Sequence, residues 1–198
     1  LEPMTLYGGL PFKELKSKFL MAQSSNCEPL TKDVLPEGME IIELPGHSFD
    51  MAGFKTPDGN IFLADCLASK ETLAKYGIGY LWDIDQYIET LKKVQTLQAE
   101  KFIPAHAAVS EEISELAQFN IDAARTLLDT ILSLCQKPKT FEDLLKDLFS
   151  QYGMTMNIQQ YGLIGSTIRS CLSSLHTKGK MDFVCEKGEV KWQTVHSA

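Results

Sequence analysis

The sequence predicts a mixed α/β (α+β) chain, with a strand-rich part over residues 1–110 and a mostly helical part over residues 111–198. Three observations carry this prediction. Short apolar runs bounded by Pro, Gly and Asp fill Met39 to Leu67, the pattern of strands and tight turns. Beyond position 81, apolar residues recur at spacings of three and four, as on one face of a helix. Two β-rich runs around Glu186-Lys187-Gly188 then close the chain as a hairpin.

In chain order, Pro11 to Ala22 is predicted as a helix, with Phe12, Leu15, Phe19 and Leu20 on one face and Pro at its first turn. Leu30 to Leu35 reads as a strand running into the turn Pro36-Glu37-Gly38. MEIIEL is the next strand, ending at Pro45-Gly46 with His47 just past the turn. MAGFKT and NIFLAD form a hairpin about Pro57-Asp58-Gly59, which puts Asp65 at the end of its second strand. Ser69 is placed to cap a helix from Lys70 to Tyr76, closed by Gly77. Leu81 to Leu97 is amphipathic, and KFIPA is a short strand with His106 at its exit. A long helix is predicted from Ser110 to about Gln136. Thr140-Phe141-Glu142-Asp143 resembles a capping box opening a helix that ends near Tyr152-Gly153. A third helix runs from Asn157 to Thr177, with Tyr161, Ile164, Ile168, Cys171, Leu172 and Leu175 as its apolar stripe.

His47, Asp65 and His106 all fall at strand exits, where side chains from one sheet edge can converge. Two imidazoles and a carboxylate so presented suit a divalent metal ion. PGHS, FLADCL and PAHA, in that order and spacing, resemble the second half of a metallo-β-lactamase-fold hydrolase, an αββα sandwich with a two-metal site at one edge. The resemblance implies His47 on one ion, Asp65 bridging both and His106 on the second. It further implies two divalent ions, Zn²⁺ or else Fe or Mn, with hydrolysis of an ester, thioester, amide or phosphoester by a metal-bound hydroxide, and a small-molecule substrate. No catalytic residue beyond the three ligands is implied.

The His-x-His-x-Asp-His motif that the family carries in its first half occurs nowhere in this chain, whose four histidines are His47, His106, His176 and His196. The chain also opens without an initiator methionine. It therefore reads as the C-terminal part of a longer hydrolase, incompetent alone, completed by its missing N-terminal half or by a second copy in a homodimer. Three helices and a terminal hairpin after residue 110 resemble a winged helix, which opens a second reading as a non-catalytic interaction or DNA-binding module.

Composition narrows these readings. A net charge of −7 argues against a general nucleic-acid binder. From Lys137 onward eight Lys or Arg face six Asp or Glu, poor footing for phosphate contacts. No apolar run is long enough to span a bilayer. Five scattered cysteines without C-x-x-C spacing fit reduced thiols, and hence a cytoplasmic location, with Cys66 read as a small buried hydrophobe. His176 and His196 read as surface residues. Asp58 is explained by its turn and Asp83 by a helix N-terminus.

Overall fold

A computed structural model describes residues 8, 10–16 and 26–195. The hairpin signal at Pro57-Asp58-Gly59 organises the first sheet. Thr56 and Asn60 both donate to the Asp58 carboxylate, and Gly59 takes φ of 83°, so the turn closes on its own side chains. Strands β1 (Glu40–Glu43), β2 (Ala52–Lys55), β3 (Ile61–Ala68) and β4 (Phe102–His106) lie side by side in chain order. The first two pairings are antiparallel; β3 and β4 are parallel.

Strand alternation gives this sheet two unlike faces. Ile61, Leu63 and Phe102 point to one face and are buried beneath helices α2 (Ile84–Val94) and α3 (Ser114–Leu134). Ile41, Phe54, Phe62 and Ile103 are successive cross-strand partners on the other face. They make one apolar row across all four strands, in which Phe62 is 43% exposed.

Between β3 and α2 lies the short helix α1 (Lys70–Tyr76), capped by Ser69, whose Oγ accepts from the Thr72 amide, and ended at Gly77 with φ of 71°. After α3 come β5 (Lys139–Thr140), α4 (Phe141–Gln151), α5 (Ile158–Thr177) and the hairpin β6 (Met181–Glu186) and β7 (Glu189–Thr194). The tiny β5 joins that hairpin as a third strand beside β7. The main buried core runs from Leu44, just after β1, through α2 and α3 to Ile168 and Met181, and Leu15 and Tyr80 form a small second cluster with Leu163 against them. No helix among the described residues is long and apolar enough to cross a membrane.

Four boundaries differ from the sequence reading, each for a local reason. Leu30 to Leu35 is not a strand: Lys32–Val34 form a single 3-10 turn, with Leu30 and Val34 exposed and no strand beyond β1 to pair with among the described residues. Helix α2 begins at Ile84, because the Leu81 amide donates to Thr167 and that of Trp82 to Gly46 and His47, leaving Asp83 to cap Asp85 and Gln86. Helix α3 begins at Ser114, because Ser110 is held to Phe102 by two backbone hydrogen bonds and its Oγ accepts from Glu112. Of the predicted helix from Pro11, a 3-10 turn Lys13–Leu15 is formed, while its remainder from position 17 and residue 196 lie outside the described residues.

Candidate metal centre

The loop carrying His47 is fixed from beneath. Thr90 of α2 donates to the Pro45 carbonyl at 2.6 Å, and the amides of Trp82 and Asp83 both donate to the Gly46 carbonyl at 3.0 Å. Gly46 has φ of 127°, and a Cβ there would stand 2.3 Å from the Tyr87 amide nitrogen. Only glycine lets the chain pass this close to α2 and deliver His47 to the sheet edge.

Asp65 arrives by a different device. It lies inside β3 and not at the strand's end, as the hairpin alone suggested, because pairing continues irregularly to Ala68 opposite His106. The register with β4 shifts at Ala64, which adopts φ of 48°, a left-handed conformation that costs a non-glycine residue roughly 1–2 kcal/mol. That local irregularity turns the Asp65 carboxylate towards both histidines. His106 is held by its carbonyl, which accepts from the Ser69 amide at 2.9 Å.

His47 Nε2 lies 3.7 Å from Asp65 Oδ2, and His106 Nε2 lies 3.3 Å from Oδ1. The three residues predicted from sequence are thus brought together, each imidazole facing its own carboxylate oxygen. Two ligands bonded at 2.0–2.2 Å to one tetrahedral ion stand about 3.4 Å apart, so each His–Asp pair has the separation of a shared ion. Among the described residues, no group of three or more His, Cys, Asp and Glu side chains could hold an ion by itself. What the three side chains form is two His–Asp contacts that share one carboxylate. Burial is the largest influence on His47 and pulls its imidazole below the ordinary value; Asp65 opposes this and His106 adds to it. The neutral imidazole so favoured is the metal-ligating form.

The centre opens into a cleft of about 730 Å³. Its near wall is Tyr80, whose ring meets His47 edge-on at 5.3 Å and whose buried hydroxyl makes no hydrogen bond of good geometry. Burial pushes that phenol's pKa up, with Ser166 opposing. On the far side stand α1 and α5, the latter through Gln160, Leu163 and Ile164. The architecture matches solved structures. The fold is that of metallo-β-lactamase proteins. A metallo-β-lactamase family protein from Thermus thermophilus superposes with a TM-score of 0.61 at 16% identity, over 79% of this chain and 49% of that one. A β-lactamase domain protein from Burkholderia ambifaria gives 0.58 at 15% identity, over 81% and 52%. The chain thus spans about half the length of these metallo-β-lactamase-fold structures. No protein-family model and no curated protein matches the sequence.

Cys66, next to Asp65, is fully buried, and burial pushes its thiol up to about 12, so it contributes packing. His176 stands apart, its Nδ1 3.0 Å from the Met181 carbonyl and its ring among Phe183 and Trp192 of the terminal hairpin. Sequence reading missed Asn120. This buried side chain of α3 bonds the Ala68 backbone and accepts from the Tyr87 hydroxyl, steadying the strand that carries Asp65. An Asn inside an otherwise apolar helix stripe was its only signal. Thr167, fully buried in α5, was missed too; it ties α5 to the cleft wall by accepting from the Leu81 amide and donating to the Gly79 carbonyl.

Proposed function

We propose that the intact protein is a metal-dependent hydrolase of the metallo-β-lactamase superfamily, acting on an ester, thioester, amide or phosphoester. The observation that carries this reading is the placement of His47 and His106 on opposite oxygens of one carboxylate. In this reading His47 holds one divalent ion, zinc in the first instance, Asp65 bridges to a second and His106 holds that second ion. When bound, such ions supply a water acidic enough to act as a nucleophile at neutral pH. The chain's own residues orient the ligands: Thr90 and the Trp82 and Asp83 amides fix the His47 loop, Asn120 fixes the β3 end, and Tyr80 screens His47 from solvent. The remaining ligands would come from a further polypeptide segment, and the apolar row Ile41–Phe54–Phe62–Ile103 suits the second sheet layer that such a segment, or a second copy, would add.

The C-terminal region is read as winged-helix-like and as a wall of the cleft. Arg169, the arginine of α5, lies with its guanidinium 4.1 Å over the Phe141 ring, which favours packing over phosphate contact.

Zinc titration of the purified chain, read by calorimetry and by elemental analysis, tests the centre. Micromolar binding that is lost in both Asp65→Asn and His106→Ala supports it. Binding that is absent, or equal in all three proteins, overturns the centre as assigned for this chain.

A further inference from the structure

The cleft carries two kinds of lining. Beside His47, Asp65 and His106, Glu71 and Thr72 add polar groups. Its apolar lining is made by Leu67, Leu73, Ile78, Leu81, Leu163 and Ile164. These residues come from β3, α1, the loop before α2 and α5, so four separate stretches of chain converge on one trough. Its volume of about 730 Å³ lies in the range of small-molecule sites, roughly 300–1,000 Å³.

The rim limits what can lie there. A phosphate-rich ligand needs positioned cations. The cleft offers Lys75, whose ammonium sits 4.9 Å over the Tyr76 ring, with Glu71 and Asp65 as opposing negative charges. A sugar needs donors and acceptors along its length, and the trough offers few, chiefly Gln160 and Tyr76, since the Tyr87 hydroxyl is taken by Asn120. An extended hydrocarbon chain satisfies both the apolar walls and the absence of paired charges.

We propose that the substrate is an uncharged acyl ester or thioester with an extended hydrocarbon chain, which lies in the α1–α5 trough and presents its carbonyl at His47, Asp65 and His106. This rests on the hydrolase reading above and narrows it. Hydrolysis there joins the oxygen of water to the acyl carbon and breaks that carbon's bond to the leaving oxygen or sulfur. One proton of the water passes to the leaving group and the other is released with the carboxylate.

Non-hydrolysable 2-alkanones carry the same carbonyl and chain. Calorimetric titration of the metal-free chain with 2-pentanone, 2-octanone and 2-undecanone should show affinity rising roughly three- to fourfold per methylene. Leu73→Lys and Leu163→Lys, from opposite walls, should each flatten that dependence while the thermal melt stays cooperative. Affinity independent of chain length overturns the proposal, as does an unaltered dependence in both variants. The dependence should persist in His106→Ala, which separates the two readings: the trough then stands even where zinc binding fails.

Discussion

Asn120 grips Ala68 from both sides of its backbone, accepting from the Ala68 amide at 3.0 Å and donating to its carbonyl at 2.9 Å. The Tyr87 hydroxyl also donates to Asn120, at 3.0 Å. One side chain of α3 therefore serves these three polar groups near the end of β3, three residues beyond Asp65, and its amide also donates to the Leu116 carbonyl of its own helix.

Asn120→Leu should destabilise the chain by about 3 kcal/mol, since each buried polar group left unmade costs roughly 1–3 kcal/mol. Urea unfolding measures this directly. Zinc affinity should fall in the same variant although Asn120 lies outside the ligand set. A loss under about 1 kcal/mol would mean that water replaces the amide.

Two backbone positions predict opposite responses to the same pair of residue types. Ala64→Gly should be neutral or stabilising by up to about 1 kcal/mol, because glycine adopts the left-handed conformation at 64 without penalty, offset by its greater freedom when unfolded. Gly46→Ala should cost more than about 3 kcal/mol, since its Cβ would meet backbone atoms of Tyr87 that cannot yield. A clear fall in melting temperature for Ala64→Gly would contradict the first assignment, and an unchanged or higher one for Gly46→Ala would contradict the second.

Buried thiols give the fold a pH signature. Burial pushes Cys66 up to about 12 and Cys135 up to about 11, and Cys171 further still. The unfolded chain loses these protons near pH 9, before the folded one does, so it binds fewer protons in that window. Stability is thus full below about pH 9 and declines as pH rises towards 11 and beyond. Unfolding free energy at pH 8 and pH 10 checks the sign, and Cys66→Ala should flatten the slope. A thiol reagent at pH 8 should modify the exposed Cys185 and Cys27 and spare the three buried cysteines.

The open face of the first sheet yields a prediction about association. Phe62→Lys puts a charge in the middle of the row Ile41–Phe54–Phe62–Ile103, on a side chain that is already 43% exposed. Sedimentation should show less self-association than in the unaltered chain, with folding stability changed by no more than about 0.5 kcal/mol. A large stability loss would instead mean that Phe62 is packed within the chain.

Much of this was legible where chemistry is local. Asp-Gly between apolar runs fixes the β2–β3 hairpin, Ser69, Thr140 and Asn157 cap their helices as their side chains suggest, and the spacing of His47, Asp65 and His106 placed all three at one sheet edge. What stayed hidden depends on partners far away in sequence. The start of α2 is set by Thr167 and Ser170 of α5, which accept from the Leu81 and Ile84 amides. The start of α3 is set by Phe102, and the position of Asp65 inside its strand by an irregularity at Ala64 that no residue type announces. The joining of β5 to the terminal hairpin likewise depends on a pairing that two residues cannot signal alone.

Helix α5 gives the cleft its outer wall and is also among the last elements of the chain to be made. During synthesis from the N-terminus, the sheet edge with His47 and Asp65 can form early, but the trough exists only once residues 160–164 have docked. Such a cleft cannot reward a half-finished chain. Any ligand bound there draws its affinity from contacts between distant parts of the sequence, so it stabilises the completed fold as a unit and leaves partly built forms unaided. Ligand occupancy is in that sense a certificate that α5 has docked against α1 and β3.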